Sequence, residues 1–386
     1  MKFSHMCRLV TLMTTVVFAL AGCGGAGTTM PLGAMTPSPA HKMGDSSGAL
    51  IYATGGCVAA GLLAGCGGSQ RPIGAPVAEK SLQRMIPEQI LEPPSLQEPL
   101  PLASAPTYDV SAPLLYVTNT TADHNDVKVY HANAKDPGPI AVITDGIEFP
   151  IGDCIDGEGT LYVTNLGTGV GFVSEYAAGK TTLSRIVTKG INVPVYCAID
   201  SAGNLWVTDL GNSSVTEYKN GSTKLSTTIT EGVTDPHGIA FDHSGNMYVS
   251  DYLGDYESNV AVYAPGHKSP SRTITDGLTT AEGVAVDANG TLYVANDGGC
   301  NVEEYLAGKD HPYQEITTDI NGPTGLTVGK NGLLYVVNTG YQGCDGDGPA
   351  NVILEFPDGS LTPSAKEVSK GVYTPEGSAY DPPMLP

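Results

Sequence analysis

The sequence predicts an all-β fold: a six-bladed β-propeller of four-stranded antiparallel blades, its ring closed by the C-terminal strand pairing with the N-terminal blade. Three observations predict it. A Leu or Met, an aromatic residue and Val stand in a row, with Asn or Asp two places after the Val, at Leu115, Leu161, Leu205, Met247, Leu292 and Leu334. The steps of 46, 44, 42, 45 and 42 residues lie in the range of repeats that each hold several short strands. A second motif, Val with an aromatic residue three places on, follows each copy at Val127/Tyr130, Val173/Tyr176, Val215/Tyr218, Val260/Tyr263 and Val302/Tyr305, and at Val352/Phe356 one residue longer. A third motif, Pro-x-Gly or a close variant, opens at Pro150, Pro194, Pro236, Ala281, Pro323 and Pro375.

These motifs assign each strand of a blade. Pro236 to Asp242 and Met247 to Asp251 flank His243-Ser244-Gly245-Asn246, and their alternation around a Gly-Asn turn reads as a hairpin of two antiparallel strands. Val260 to Tyr263 supplies the third strand and Arg272 to Thr275 the fourth. No Pro-x-Gly copy precedes Leu115, and no second strand follows the copy at Pro375. Glu376 to Tyr380 therefore completes the blade begun by Leu114 to Asn119, which removes the sheet edges an open array would expose. The propeller spans 111–381, with 382–386 as a tail.

Ahead of it, Lys2 and Arg8 precede an apolar run from Leu9 to Leu20, the pattern of a secretory signal over 1–22. The run closes on Leu20-Ala21-Gly22-Cys23, which resembles the lipobox of bacterial lipoproteins and implies lipidation of Cys23. Leu62-Leu63-Ala64-Gly65-Cys66 is a second such string within 50–66, so Cys66 is the alternative anchor if translation starts later than Met1. Pro, Gly, Ser, Glu and Gln crowd the segment 23–110, which cannot bury enough apolar area to fold alone and reads as a disordered spacer. The expectation is an extracytoplasmic monomer, lipid-anchored in the periplasm or at the cell surface, touching the membrane through its anchor only. With 40 acidic against 19 basic residues the net charge is −21, which repels phosphate backbones and excludes nucleic acid as a partner. Small molecules, sugars, proteins and cations stay open.

Pro-x-Gly-Ile-Ala-Phe-Asp, Gly-Asn and Leu-Tyr-Val-Thr-Asn together resemble NHL repeats and the related regucalcin and gluconolactonase-like propellers, over about 270 residues. In such propellers the first strand of each blade is innermost, so the resemblance places Ile151, Val195, His237, Glu282, Thr324 and Glu376 at the mouth of the central channel. His237, Glu282, Thr324 and Glu376 form the polar half of that ring, with Asn165, Asp209, Asp251 and Asn296 at strand ends on the same face. A histidine with two carboxylates can hold a divalent cation, calcium or zinc, or run acid–base chemistry. Glu282 and Glu376 match the acidic metal ligands of the gluconolactonase-like family, and His237 is the one match to the several zinc-binding His of the peptide-amide lyase propellers. The leading expectation is a non-catalytic propeller that binds a ligand or protein through this mouth. A metal-dependent lactonase-like hydrolase is the alternative, and a lyase the third.

The Asn and Asp that end every second strand, and the Asp156, Asp200, Asp242, Asp287 and Asp381 series that ends first strands, are expected to serve turns, because short Asx side chains satisfy nearby backbone N–H groups. The acidic loops Asp345 to Gly348 and Asp251/Asp255/Glu257 lack the six or more oxygens that calcium needs. Cys300 and Cys344 lie in corresponding loops of adjacent blades, where an oxidising compartment allows a disulfide. Cys154 and Cys197 stand one step out of phase on neighbouring inner strands, and are expected to point to opposite faces as small core residues.

Overall fold

The computed structural model describes residues 107–383, apart from 122, 341–347 and 366. The signal segment, Cys23, Cys66, nearly all of the spacer, Cys344 and most of the Asp345 to Gly348 loop lie outside the described residues. Six antiparallel sheets form the ring. Blade 1 comprises β4 (Pro150–Ile155), β5 (Leu161–Asn165), β6 (Phe172–Tyr176) and β7 (Arg185–Val187). Blade 2 is β8 (Pro194–Ile199) to β11 (Leu225–Ile229), blade 3 is β12 (Pro236–Phe241) to β15 (Arg272–Ile274), and blade 4 is β16 (Ala281–Val286) to β19 (Gln314–Ile316). Blade 5 holds β20 (Pro323–Val328), β21 (Leu334–Asn338) and β22 (Val352–Phe356), with its outer edge reduced to a bridge between Ile353 and Val368. Blade 6 closes the ring as expected: the C-terminal β23 (Pro375–Asp381) pairs with β1 (Leu114–Thr120), followed by β2 (Asn125–His131) and β3 (Ala141–Ile143).

Each blade buries both faces, and the Leu-aromatic-Val motif divides between them. In blade 1, Leu161 and Val163 pack against Leu114, Tyr116 and Val129 of blade 6. Tyr162 packs the other way, with Cys197, Leu205 and Val207 of blade 2. Leu and Val thus face the preceding blade and the aromatic ring faces the following one, and the six apolar clusters correspond to the six blade interfaces. Full burial of each such side chain stabilises by about 1.5 to 3 kcal/mol. The third-strand tyrosines are also buried, and their hydroxyls donate to carbonyls of the loop that enters the blade: Tyr176 to Asp145 (2.6 Å), Tyr218 to Lys189 (2.6 Å), Tyr263 to Glu231 (2.8 Å) and Tyr305 to Asp276 (2.6 Å).

The inner strands β4, β8, β12, β16 and β20 each carry a bulge after their first residue, where two residues oppose one on the second strand. In blade 1, Ile151 and Gly152 oppose Thr164 alone. The Thr164 hydroxyl accepts from Gly152 N–H (2.8 Å) and donates to the Val195 carbonyl of blade 2 (2.6 Å). Thr208 does the same between Tyr196 N–H (2.9 Å) and the His237 carbonyl (2.5 Å), and Thr118 between Gly377 N–H (2.8 Å) and the Ile151 carbonyl (2.7 Å).

One expectation is overturned. Cys154 and Cys197 form a disulfide, with Cα atoms 5.7 Å apart. They do point to opposite faces of their own sheets, but blades stack in sequence around a ring. Cys154 lies opposite Tyr162, on the face turned toward blade 2. Cys197 lies opposite Val207, on the face turned toward blade 1. Being out of phase on neighbouring blades is what lets them meet. Cys300 is also disulfide-bonded, while its expected partner Cys344 falls outside the described residues.

The Cys154–Cys197 bridge spans a sequence separation of 43, for which loop entropy gives a stabilisation of about 2 to 4 kcal/mol. Peptide mapping of the unreduced chain is expected to link the two, and the Cys154→Ala/Cys197→Ala variant to lose that much stability in urea. Alkylation of both thiols in native, unreduced protein would contradict the assignment.

Candidate functional site

The six residues expected at the channel mouth sit one step inside the start of each inner strand. They do not line an open, solvated mouth. Exposure is 4% at Ile151, 2% at Val195, His237 and Glu282, 0% at Thr324 and 8% at Glu376. Close packing of the inner strands causes this burial. The glycine that follows five of these residues lets the strands approach: a Cβ on Gly238 would stand 2.5 Å from the Glu282 carbonyl oxygen, and one on Gly283 2.5 Å from that of Thr324. Such distances exclude any side chain without a shift of backbone.

Blade 2 breaks the glycine pattern, and sequence reasoning missed the consequence. Tyr196 stands where the other blades have Gly152, Gly238, Gly283, Gly325 and Gly377. Its ring lies against Gly152, and its hydroxyl crosses the axis to donate to the Glu376 carbonyl of blade 6 (2.9 Å). Thr324 Oγ1 donates to the same carbonyl at 3.2 Å. Burial raises the Tyr196 phenol well above its ordinary value, and the Glu282, Glu376 and Asp153 carboxyls add to the rise. Tyr196 is thus a neutral donor that fills the channel at this level. The signal was present in the sequence as one aromatic residue in a position otherwise reserved for glycine.

The structure does bring His237 and Glu282 together. His237 Nδ1 lies 2.6 Å from Glu282 Oε2, both buried, joining β12 to β16. Two further carboxyls surround this histidine. Burial, with smaller contributions from the Asp251 and Glu282 charges, pushes Asp235 up to about 6 against the pull of His237. Asp251 is raised by burial as well, although it accepts N–H bonds from Thr234 and Asp235 at 2.7 Å.

This set does not fit a divalent cation. A catalytic zinc needs three protein ligands and calcium six or more oxygens, whereas His237 and Glu282 are turned on each other. Among the described residues no three His, Cys, Asp or Glu side chains are grouped to hold a metal. The strand-end residues are engaged elsewhere. Asn165 accepts from Glu148 N–H, Asp209 from Asn192 and Val193 N–H, and Asn296 from Thr279 and Thr280 N–H. All four, Asp251 included, hold the loop that enters their own blade. The Asp156, Asp200, Asp242 and Asp287 series accepts the N–H groups of its own hairpin turns, as in Asp242 with Ser244 and Asn246 (2.9 Å each).

The Asp235 environment has a measurable consequence. Its folded value of about 6 exceeds that of the unfolded chain, so between about pH 4 and 6 the folded protein keeps a proton that the unfolded chain has lost. Stability therefore falls as pH rises through that window and the loss is complete above it. Asp235→Asn is expected to gain about 1 to 3 kcal/mol over the wild type in urea at pH 7.5 and nothing at pH 4. An equal difference at both pH values would contradict this origin.

No protein-family model and no curated protein matches the chain. Solved structures do share the fold. A chain of the nidogen/laminin complex aligns with a TM-score of 0.57 and 15% identity, covering 70% of this chain and 98% of that one. A protein of unknown function from Bacteroides caccae aligns with a TM-score of 0.53 and 15% identity, covering 70% of this chain and 99% of its own. At these identities the likeness establishes the propeller fold and nothing finer.

Proposed function

We propose that this protein is a non-catalytic, NHL-like binding propeller of the cell envelope, tethered by lipidated Cys23, whose partner docks on the face where the inner strands begin. The observation that carries the reading is the contrast between the axis and the surrounding rim. On the axis, every mouth residue is at least nine-tenths buried, and His237 Nδ1 lies against Glu282 Oε2. Around it, Val170 is 64% exposed, Leu253 47%, Tyr256 42% and Tyr373 45%. Pro236 pairs with Asp251 of β13 (Met247–Gly254), so the connection from Leu253 through Tyr256 to β14 (Glu257–Tyr263) belongs to that same face. The loop bearing Tyr373 enters β23 at the equivalent point, with the ring stacked on His124 at 4.1 Å. Exposed aromatic and aliphatic side chains amid polar loops are the usual makings of a protein or sugar contact. The Cys154–Cys197 disulfide supports an oxidising compartment.

Retention of a partner from the producing cell's envelope fraction on the immobilised full chain tests the docking face. The Leu253→Asp/Tyr256→Asp variant is expected to lose retention about tenfold or more, while Tyr313→Asp on the outer surface and Glu282→Gln on the axis retain it. Stoichiometric divalent metal, or lactone hydrolysis abolished by Glu282→Gln, would replace this reading with the hydrolase. The tether has its own test: Cys23→Ser is expected to release the chain from membranes and Cys66→Ser to leave it bound. The reverse pattern would move the anchor to Cys66.

A further inference from the structure

The outer half of the blades repeats a further pattern, and blade 3 breaks it. Opposite the aromatic residue of the second strand, the third strand carries Glu175 in blade 1, Glu217 in blade 2, Glu304 in blade 4 and Glu355 in blade 5. Each of these carboxyl groups has a partner in its own blade, respectively Arg185, Lys219, Gln314 and Ser364. Blade 1 shows the fullest form. Glu175 of β6 stands opposite Arg185, the first residue of β7. Arg185 turns Nε (2.8 Å) and Nη2 on Glu175 Oε2, and Nη1 on the Gly221 carbonyl of the next blade (2.6 Å). Blade 3 keeps the arginine and lacks the glutamate: Arg272, the first residue of β15, stands opposite Val262 of β14. Its Nη1 again reaches the next blade, at the Lys309 carbonyl (3.2 Å) and Asp310 Oδ1 (2.6 Å). Nε and Nη2, the two nitrogens that Arg185 turns on Glu175, donate to no carbonyl or carboxylate among the described residues. A cleft of about 340 Å³ opens at this place, on the hairpin side of the ring between blades 3 and 4, with Val262, Tyr248, Arg272, Asp242, Asn246 and Asn289 on its wall.

We propose that this cleft is a binding site for a small organic carboxylate, whose charged group takes the place that the Glu175 carboxylate holds in blade 1. A guanidinium presents its donors as a rigid fork that matches a carboxylate, and blade 1 shows that match in the same strand register. Val262 is shorter than glutamate and carries no charge, so it leaves both the room and the donors to a ligand. Asp242 is a second carboxylate on the wall, but its oxygens accept from the Ser244 and Asn246 N–H groups, the Asn246 amide and the Tyr248 hydroxyl. Blade 1 likewise keeps Asp156 and Glu175 around one phenol, that of Tyr162, with Arg185 offsetting them. In blade 3 the Arg272 charge bears on the Tyr248 phenol in the same way, pulling it down against the larger effect of burial. The volume lies at the lower end of the roughly 300 to 1,000 Å³ of small-molecule pockets, and the Asn246 and Asn289 amides suit a ligand body with hydrogen-bonding groups. The cleft is at the end of the ring opposite the docking face and rests on no part of that reading.

Ligand-observed NMR titration of the full chain at pH 7.5, with glutaramate and with its neutral isostere glutaramide, tests the proposal. Glutaramate carries a carboxylate at one end and an amide at the other, and is expected to bind about tenfold or more tighter than the diamide. Arg272→Gln is expected to weaken glutaramate to the level of the diamide. Val262→Glu installs within the chain the carboxylate that four other blades carry, and is expected to abolish glutaramate binding. The wild-type ligand pair decides the question should either variant fail to fold. Equal binding of glutaramate and glutaramide, no binding of glutaramate, or undiminished binding by folded Arg272→Gln or Val262→Glu would overturn the assignment.

Discussion

The ring depends on one hydroxyl at each of four blade junctions. At the bulge of the inner strand, two residues oppose one on the second strand, and the ladder cannot satisfy the N–H of the residue at the strand's third position. In blades 6, 1, 2 and 3 that N–H is taken by Thr118, Thr164, Thr208 and Ser250, each of which also donates to a carbonyl of the next blade. A hydroxyl is both donor and acceptor, so one small side chain settles a local defect and clasps two sheets together. Losing it would leave a buried N–H and a buried carbonyl without this partner, at about 1 to 3 kcal/mol for each group left unsatisfied. Blades 4 and 5 have Ala295 and Val337 at this place. At the junction of blades 5 and 6 the inner strands carry the contact themselves, Thr324 donating to the Glu376 carbonyl.

The clasp explains why the glycines recur. The hydroxyl reaches its second partner only if the inner strands nearly touch, and a Cβ at Gly152, Gly325 or Gly377 would come within 2.6 to 2.7 Å of the neighbouring carbonyl oxygen. The same closeness buries the residue before each glycine. His237 and Glu282 are consequently removed from solvent by the architecture that aligns them, where a buried polar group is costly without a hydrogen bond, and His237 Nδ1 lies 2.6 Å from Glu282 Oε2.

Much of the fold was legible because each blade repeats the same solution. The Leu-aromatic-Val run, the Val-aromatic pair and the orphan strand at Pro375 fix strand order, blade number and closure. What escaped depends on relations between sheets. The phase of Cys154 and Cys197 within their strands is readable, but whether opposite phases separate or meet follows from the stacking of successive blades. For the channel, the position of His237, Glu282, Thr324 and Glu376 along their strands was readable and their burial was not. Burial here reflects the narrowness of a ring of six strands and the choice of Tyr196 in one of them.

Tyr196 therefore does more than occupy space. Its phenol, bound to the Glu376 carbonyl and held neutral by burial, divides the axis between the level of His237 and Glu282 above and a chamber lined by all six inner strands below. Above it the ring residues are buried, and the exposed apolar side chains of this face lie on its rim, at Val170, Leu253, Tyr256 and Tyr373. Below it, the strands diverge from glycine contacts to alanines at Ala198, Ala240, Ala285 and Ala379, and room appears. One aromatic residue in place of glycine thus divides a single channel into two unlike levels.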